Sequence, residues 1–345
     1  MTDGVAPALP GTSAEYILPL RWIDDLALDS LVDYLRKLCC WITVMVVDGS
    51  PEELFEHHRA RFPRAVKHLR PAAGGVGNGK VRAVLTGVQA SRADRLVIAD
   101  DDVRYTRESL TAVLAGLDHA DLVRPQNYFD TWPWHACWDT SRTLVNRAFG
   151  GDFPGTLAVR RAALEATGGY EPVLFENLEL IRTVTAAGGR EHHAAGLFVA
   201  RTPPTVRHFL RQRVRQSYDD FAQPARLVVE LALLPMLAGM LSLPFRRRAG
   251  SLLGGAAIAV VLAETGRRRD GGCQVFPFRA ALFAPLWLLE RAVCVWAAVV
   301  LRFAGGVPYA GGRLKTAAHS QTFLRRRHAG KVRLVPDAGH ERKTP

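Results

Sequence analysis

The feature that most constrains the fold is a short apolar run, Arg95 to Ala99, which ends in three consecutive carboxylates, Asp100, Asp101 and Asp102. Such a run predicts a buried strand that reaches the edge of a sheet, where open α/β sheets bind their ligands. A group of carboxylates is costly to bury unless a positive charge neutralises it. Mg²⁺ and Mn²⁺ bind through one or two carboxylates together with substrate phosphates. The triplet therefore predicts a metal–diphosphate site, and an acidic turn without a ligand is the other interpretation.

Strand-like and helix-like periods alternate along the first half of the chain. Strands are predicted at 16–20, 42–47, 65–69, 95–99 and 156–160, and helices at 26–38, 81–90, 162–167 and 176–187. Strands that alternate with helices are typical of an α/β fold whose mostly parallel, Rossmann-like sheet is covered on both faces.

The charge and the apolar stretches of the second half favour a membrane surface as a partner. The chain carries a net charge of +12, and arginine clusters flank apolar stretches at 227–243, 252–262 and 280–304. This arrangement favours binding to acidic lipid. The sequence has no zinc-finger spacing and no basic stripe interleaved with aromatic residues, so it does not favour nucleic acid as the partner. The first two stretches are short for crossing helices, and the third carries Glu290 and Arg291 in its middle. Interfacial helices, crossing helices and a second soluble helical domain all stay open.

Cysteine usage indicates a reduced compartment. The five cysteines include no C-x-x-C pair, and their odd number does not suit a disulfide framework.

Several short motifs follow one another in an order that resembles a known family. The segments are Val47-Asp48-Gly49-Ser50, Asn78-Gly79-Lys80, Asp100 with Asp102, 155–161, Gly168-Gly169-Tyr170, Glu176-Asn177, Gln212-Arg213-Val214-Arg215 and 305–311. Their order and spacing resemble the GT-A glycosyltransferases of family 2, of the membrane-attached bacterial type. Apart from the last segment, the resemblance covers about residues 16–221.

The resemblance implies an activity and a set of binding residues. The activity is that of an inverting, hexosyltransferase-like enzyme, which moves a sugar from a nucleotide-sugar donor to a lipid-linked or membrane-proximal acceptor with the help of Mg²⁺ or Mn²⁺. Donor binding would fall to Pro19, Arg21, Asp48, Lys80, Asp100, Gln212 and Arg215, and metal binding to Asp100 and Asp102. The nucleotide base, the sugar, the acceptor and the oligomeric state stay open.

Composition, hydropathy and the resemblance together predict a domain plan. A disordered N-terminus (1–15) would precede a GT-A domain (16–223), a membrane-associated helical region (224–310) and a basic tail (311–345). The catalytic domain would lie in the cytoplasm, at the inner face of the plasma membrane.

The catalytic base departs from the pattern of the family. Inverting transfer needs a carboxylate that accepts the proton of the attacking hydroxyl. The family places an aspartate as the second residue of its Glu-Asp pair, and this chain has Asn177 there. Glu176 is the first candidate, and Glu179, about one helical turn further on, is the second.

Other interpretations fit parts of the chain. Asn177 is compatible with a catalytically impaired GT-A protein that only binds at a membrane surface. The segment from Gly74 to Lys80 has the spacing of a P-loop, but Val81 stands where a hydroxyl residue should follow. The tryptophans at 132, 134 and 138 could stack on a sugar, or simply pack in the core or at a membrane interface.

Overall fold

A computed structural model describes residues 13–74, 77–309 and 312–329. The N-terminus predicted to be disordered lies mostly outside these residues, as does the end of the basic tail. The strands are β1 (Ala14–Leu20), β2 (Thr43–Asp48), β3 (Lys67–Leu69), β4 (Arg95–Ala99), β5 (Val103–Arg104), β6 (Leu122–Phe129), β7 (Thr156–Arg160), β8 (Glu191–Arg201), β9 (Val307–Tyr309) and β10 (Gly312–Leu314).

Helices account for most of the remaining described chain. They are α1 (Leu28–Leu38), α2 (Glu52–Arg61), α3 (Gly79–Ala90), α4 (Arg107–Gly116), α5 (Trp134–Ala148), α6 (Arg161–Thr167), α7 (Glu176–Ala186), α8 (Val206–Tyr218), α9 (Pro224–Leu241), α10 (Phe245–Arg268), α11 (Phe278–Leu282), α12 (Ala284–Phe303) and α13 (Gln321–His328), with short 3₁₀ helices at Asp219–Ala222 and Arg269–Gln274.

Eight strands form one mixed sheet in the order β3-β2-β1-β4-β7-β6-β8-β5. Four of its seven pairings are parallel: β1 with β2, β1 with β4, β2 with β3, and β6 with β8. The other three are antiparallel. The predicted class, an α/β sheet domain followed by apolar helices, is confirmed.

Both faces of the sheet are covered by helices. Tyr16, Leu18 and Leu20 on β1 belong to a buried cluster with residues of α1 and α4, while Ile17 belongs to a second cluster with residues of α3 and α7. Successive side chains of a strand point to opposite faces, so a strand that is covered on both sides must be apolar throughout.

The parallel strands β1, β2 and β4 bring their carboxyl ends to one edge of the sheet. Leu20 pairs with Asp48 in register, and the amide of Gly49 donates to the Leu20 carbonyl at 2.8 Å. Beyond β4, the amide of Asp100 donates to the Gly155 carbonyl at 2.9 Å. A Cβ at position 155 would lie 2.7 Å from Asp100 Oδ2, so a side chain there would displace the Asp100 carboxylate.

The apolar stretches of the second half form helices that pack on the sheet domain. Helices α9, α10 and α12 are long and apolar enough to cross a membrane. Helix α10 lies so close to α5 that a Cβ at Gly266 would come within 1.8 Å of the Leu144 carbonyl oxygen. In the middle of α12, Arg291 is fully buried and donates to Ser217 Oγ at 2.7 Å and to Asp220 Oδ2 at 3.2 Å.

The segment after α12 returns to the sheet domain. The antiparallel pair β9–β10 spans residue 311, the boundary predicted between the helical region and the tail. The amides of Leu174 and Phe175 donate to the carbonyls of Thr316 and Ala317 at 3.1 and 2.8 Å. Part of the predicted basic tail therefore packs against the sheet domain.

Candidate active site

Two cavities meet beside the ends of β1 and β4. The first, which we call the β1-side cavity, has a volume of about 760 Å³ and lies between β1, α3 and the β9–β10 pair. The second, the α5-side cavity, has a volume of about 300 Å³ and lies between α5, α7, α8 and the 3₁₀ helix 219–222. Six residues line both cavities: Asp100, Asp101, Glu176, His208, Gln212 and Arg215.

Most of the residues predicted to bind a nucleotide lie at the β1-side cavity. Its lining includes Pro19, Arg21, Lys80, Asp100, Gln212 and Arg215. The predicted metal ligand Asp102 lines the α5-side cavity. Segments that are far apart in the sequence therefore meet at these two cavities.

Lys80 joins two carboxylates at the junction of the cavities. Its Nζ lies 2.5 Å from Asp100 Oδ1 and 2.6 Å from Glu176 Oε1. The side chain of Asn78 caps α3 by accepting from the Lys80 amide at 2.9 Å, which fixes the first turn. Burial alone would lower the pKa of Lys80, but Asp100 and Glu176 raise it, so the ammonium group stays charged.

The acidic triplet is held by three different partners. Arg201 binds Asp102 with Nη2 2.6 Å from Oδ2 and Nε 3.1 Å from Oδ1. Asp101 accepts a hydrogen bond from the indole nitrogen of Trp22, and burial together with the charge of Asp102 raises its pKa to about 6. Lys80 and Arg201 therefore neutralise two of the three carboxylates in the absence of any ligand.

The triplet fits a hard divalent cation only with help from a ligand. In the described parts of the chain, no three histidine, cysteine or acidic side chains converge to hold a metal ion by themselves. Asp100 and Asp102 supply the oxygen atoms that Mg²⁺ and Mn²⁺ prefer, and the phosphates of a bound substrate ordinarily complete such a shell.

Asp48 does not line either cavity. It is fully buried at the end of β2, where Oδ2 lies 2.6 Å from His58 Nδ1 and 3.1 Å from His68 Nε2, and Oδ1 accepts from the Ser50 amide at 2.8 Å. Burial alone would raise the pKa of Asp48, but these hydrogen bonds hold it well below its usual range. The Asp48 carboxylate is thus held by protein partners, and its contact with the base or ribose stays a prediction.

The two glutamates predicted as candidate bases occupy different environments. Glu176 lines both cavities and is paired with Lys80. Glu179 is fully buried, lines neither cavity, and accepts from the His319 amide and Nδ1 at 2.7 and 2.8 Å. Asn177 Nδ2 donates to the Pro154 carbonyl at 2.9 Å at the wall of the α5-side cavity.

Several residues of the two cavities were not found from the sequence. They are Arg201, His208, Asp219, Tyr309 and Arg313. The hydroxyl of Tyr309 donates to Asn78 Oδ1 at 2.7 Å, so the last strand pair closes over the start of α3. The family-like segment 305–311 was the one sequence signal that pointed there.

The tryptophan cluster packs against the α8 helix. The rings of Trp134 and Trp138 lie 6.0 and 5.6 Å from that of Phe209. No tryptophan is among the described residues that line either cavity, and Trp134 is half exposed, so packing beside α8 fits this arrangement better than stacking on a bound sugar.

Comparisons with known proteins give only distant likenesses. No protein-family model and no curated protein sequence matches the chain. Among solved structures, a mannosyltransferase from Pyrobaculum calidifontis, in complex with GDP-Man and Mn²⁺, is 16% identical over 85% of this chain and 90% of its own, with a TM-score of 0.44. Glucosyl-3-phosphoglycerate synthase from Mycobacterium tuberculosis is 15% identical over 59% of this chain and 77% of its own, with a TM-score of 0.42. At these identities and TM-scores, the likeness assigns no activity to the chain.

Proposed function

We propose that the chain is an inverting glycosyltransferase of the GT-A, family 2 type. In this proposal the nucleotide-sugar donor binds in the β1-side cavity and the acceptor enters the α5-side cavity. The observation that carries the proposal is the meeting of the two cavities at Asp100, Glu176 and Arg215. Group transfer between two substrates needs two binding spaces that share one reacting point.

The cationic side chains at the junction suit a departing diphosphate. Lys80 and Arg215 both line the β1-side cavity, and Gln212 Oε1 accepts from Arg215 Nη1 at 3.1 Å. Burial alone would lower the pKa of Arg215, but Asp219 and Glu176 raise it, so the guanidinium group stays charged. An ammonium group and a guanidinium group placed in advance stabilise negative charge that develops on a leaving group.

Asp100 and Asp102 would hold the divalent cation, Mg²⁺ or Mn²⁺. Such a cation, when bound, supplies further positive charge to the diphosphate oxygens. Arg201, at the end of β8, pairs with Asp102 and would have to share this carboxylate with the cation or release it.

Donor binding can be tested directly. We expect one nucleotide sugar, in a panel of uridine, guanosine and thymidine diphosphate sugars with and without MnCl₂, to raise the unfolding temperature of the detergent-purified chain. Arg215→Gln should abolish the shift, whereas Arg161→Gln, at a position paired with Glu165 outside both cavities, should retain it. Absence of a shift with every donor would contradict the proposed function.

Membrane attachment is part of the proposal. Apolar side chains on the outer faces of α9, α10 and α12 are exposed, including Val229, Ile258, Leu289 and Val293. One side of α12 contacts the sheet domain through Arg291, so we propose that these helices lie in the membrane interface. This arrangement would hold the domain at the inner face of the plasma membrane, next to a lipid-linked or membrane-proximal acceptor.

Vesicle flotation tests this attachment. The double variant Leu289→Asp and Val293→Asp should lose binding to vesicles of phosphatidylcholine mixed with phosphatidylglycerol. Leu26→Asp introduces the same charge at an exposed apolar position before α1 and should retain binding. Equal flotation of the α12 variant and the control would contradict attachment through these helices.

A further inference from the structure

We infer that the Asp219 carboxylate accepts the proton of the acceptor hydroxyl, an inference that rests on the proposed glycosyl transfer. Asp219 begins the 3₁₀ helix that follows α8, and it lines the α5-side cavity together with Arg215 and Glu176. The assignment supplies the base that the asparagine at position 177 cannot provide.

The inference starts from the partners of the acidic residues in that cavity. Seven carboxylates are among the described residues of its lining: Asp100, Asp101, Asp102, Asp139, Glu176, Asp219 and Asp220. Six of them have a partner: Lys80 for Asp100 and Glu176, Trp22 for Asp101, Arg201 for Asp102, Arg213 for Asp139, and Arg226 with Arg291 for Asp220.

Asp219 is the one of these seven carboxylates for which the described structure shows no such partner. Its Oδ1 atom is buried and has no hydrogen-bond partner in the described structure. A buried carboxylate oxygen without a donor is unfavourable, and a substrate hydroxyl bound beside it would remove that cost. A sugar or lipid hydroxyl that enters the α5-side cavity would be such a group.

The electrostatic surroundings keep this carboxylate ready to accept a proton near neutral pH. The charged groups around it are Arg215 on α8, Glu176 on α7, Arg142 on α5 and the adjacent Asp220. Burial is the largest influence and, with Glu176 and Asp220, raises the pKa of Asp219 to about 7, against the lowering effect of the two arginines. A general base works best when its pKa lies near the pH of the reaction.

The carboxylates near position 177 are less suited to this role. Glu176 is bound by the Lys80 ammonium group at 2.6 Å and by Asn78 Nδ2 at 3.3 Å. Glu179 is fully buried against His319 and does not reach a cavity. Proton transfer to either one would cancel the charge that its ion pair or hydrogen bonds stabilise, which makes both carboxylates weaker bases.

The step balances with the groups already named. The O–H bond of the acceptor breaks and its proton moves to Asp219, while the acceptor oxygen forms a bond to the anomeric carbon. The bond from that carbon to the diphosphate oxygen breaks, and its electron pair leaves with the nucleoside diphosphate beside Lys80 and Arg215. An ionised phosphate has no proton to give, so the base indicates an acceptor that reacts through a neutral hydroxyl.

The test separates binding from proton transfer. The full chain in dodecylphosphocholine micelles, which carry no hydroxyl groups, is given UDP-glucose or GDP-mannose with MnCl₂. Donor affinity is measured by calorimetry. Release of nucleoside diphosphate is measured with water alone and with octyl glucoside or octyl mannoside as hydroxyl acceptors. The variants are Asp219→Asn, Asp219→Glu, Glu176→Gln and, as a control for the same chemical change at an exposed position, Asp33→Asn.

We expect Asp219→Asn to lower kcat by about 100- to 1000-fold with little change in donor affinity. The decline of the wild-type rate below pH 7 should disappear in Asp219→Asn and persist in Asp219→Glu. Loss of this decline in Glu176→Gln, with Asp219→Asn close to the wild type, would overturn the assignment and leave the proposed function standing. A wild-type chain that binds a donor without releasing diphosphate would also overturn it. A wild-type chain that binds no donor would instead overturn the proposed function.

Discussion

Arg201 binds Asp102 through two side-chain nitrogens, with 2.6 Å from Nη2 to Oδ2 and 3.1 Å from Nε to Oδ1. The backbones of the same two segments are also joined, because the Thr202 amide donates to the Asp102 carbonyl at 2.9 Å. The residue predicted to bind a metal thus has a cationic partner before any ligand arrives. A cation at Asp102 must compete with this guanidinium group or share the carboxylate with it.

Arg201→Gln should raise the affinity of the donor-free chain for Mn²⁺ by about tenfold, because Asp102 loses its competing cation. Calorimetric titration with MnCl₂ measures the change. Arg95→Gln is the matched control, since Arg95 pairs with Asp118 away from both cavities. Equal Mn²⁺ affinity in the wild type and in Arg201→Gln would contradict competition at Asp102.

Lys80→Met should lower the free energy of unfolding by about 3 kcal/mol, because Asp100 and Glu176 would face each other without a cation. In a Glu176→Gln background the same substitution should cost at least about 1 kcal/mol less, since one of the two carboxylates is already neutral. Urea unfolding followed by circular dichroism measures both costs.

The surface pair of Arg36 and Asp33 provides the control for Lys80. Both side chains are well exposed, so Arg36→Met should cost less than about 1 kcal/mol. Equal costs of Lys80→Met in the two backgrounds would show that Lys80 and Glu176 do not interact in solution.

The elements that could be predicted from the sequence are those whose apolar residues form a regular pattern within the element itself. Strands β1, β2, β4 and β7 are short apolar runs that end in turn residues or charges, and each was predicted within a few residues of its bounds. Strand β8 has mostly half-buried residues, with Val199 as its one fully buried side chain, so it shows no clear alternation. Its partner β6 supplies the backbone hydrogen bonds that make it a strand.

Helix α5 escaped prediction for a related reason. Thr140, Ser141 and Arg147 are among its buried residues, so its inner face is partly polar and its apolar period is weak. The Arg147 guanidinium group is satisfied by carbonyl oxygens of Gly266 and Arg269, which lie more than a hundred residues away. Hydrogen bonds over such separations cannot be seen in a local pattern.

The residues of the candidate site fall into the same two groups: those that a local motif predicts and those whose surroundings depend on distant segments. Strand ends and motif order predicted Lys80, Asp100 and Arg215. Lys80 lies in the first turn of α3, Asp100 follows β4, and Arg215 belongs to the family-like segment 212–215 within α8. Asp48 also matched a motif, but His58 and His68 enclose its carboxylate. Residues such as Asp219 acquire their surroundings only when distant helices pack together.

Asp48→Asn should reduce stability much more than donor affinity. The His58 ring bridges Asp48 and Asp25, with Nε2 2.8 Å from Asp25 Oδ1, so neutralising Asp48 disrupts a buried charged network. We expect a loss of about 3–5 kcal/mol in the free energy of unfolding at pH 7, measured in urea. Retained stability with a tenfold loss of donor affinity would instead support Asp48 as a nucleotide contact.

The same variant has a defined pH dependence. The pKa of Asp48 is lowered in the folded chain, so its stabilising effect is complete above the pKa of an unfolded aspartate, about 4. That effect is lost as the pH falls further towards the lowered folded pKa. The stability difference between the wild type and Asp48→Asn should therefore be large at pH 7 and smaller at pH 3.

Asp219→Asn should have the opposite effect on stability. The pKa of Asp219 is raised to about 7, so the folded chain retains a proton that the unfolded chain releases near pH 4. The wild type therefore loses stability as the pH rises from about 4 to about 7, and above that range it bears the cost of a carboxylate charge that Arg215 and Arg142 only partly offset. Asparagine has the same shape and does not ionise.

The variant should therefore equal the wild type at pH 5 or fall slightly below it, and at pH 8 it should exceed the wild type by about 2 kcal/mol in the free energy of unfolding. Urea unfolding of both chains at the two pH values measures the difference. Asp33→Asn changes an exposed carboxylate in the same way and should show no such crossover. A stability difference that is independent of pH would mean that Asp219 is ionised throughout this range. Together with the expected loss of kcat, a gain in stability at pH 8 would show that the unpartnered carboxylate is retained for its chemistry and destabilises the fold.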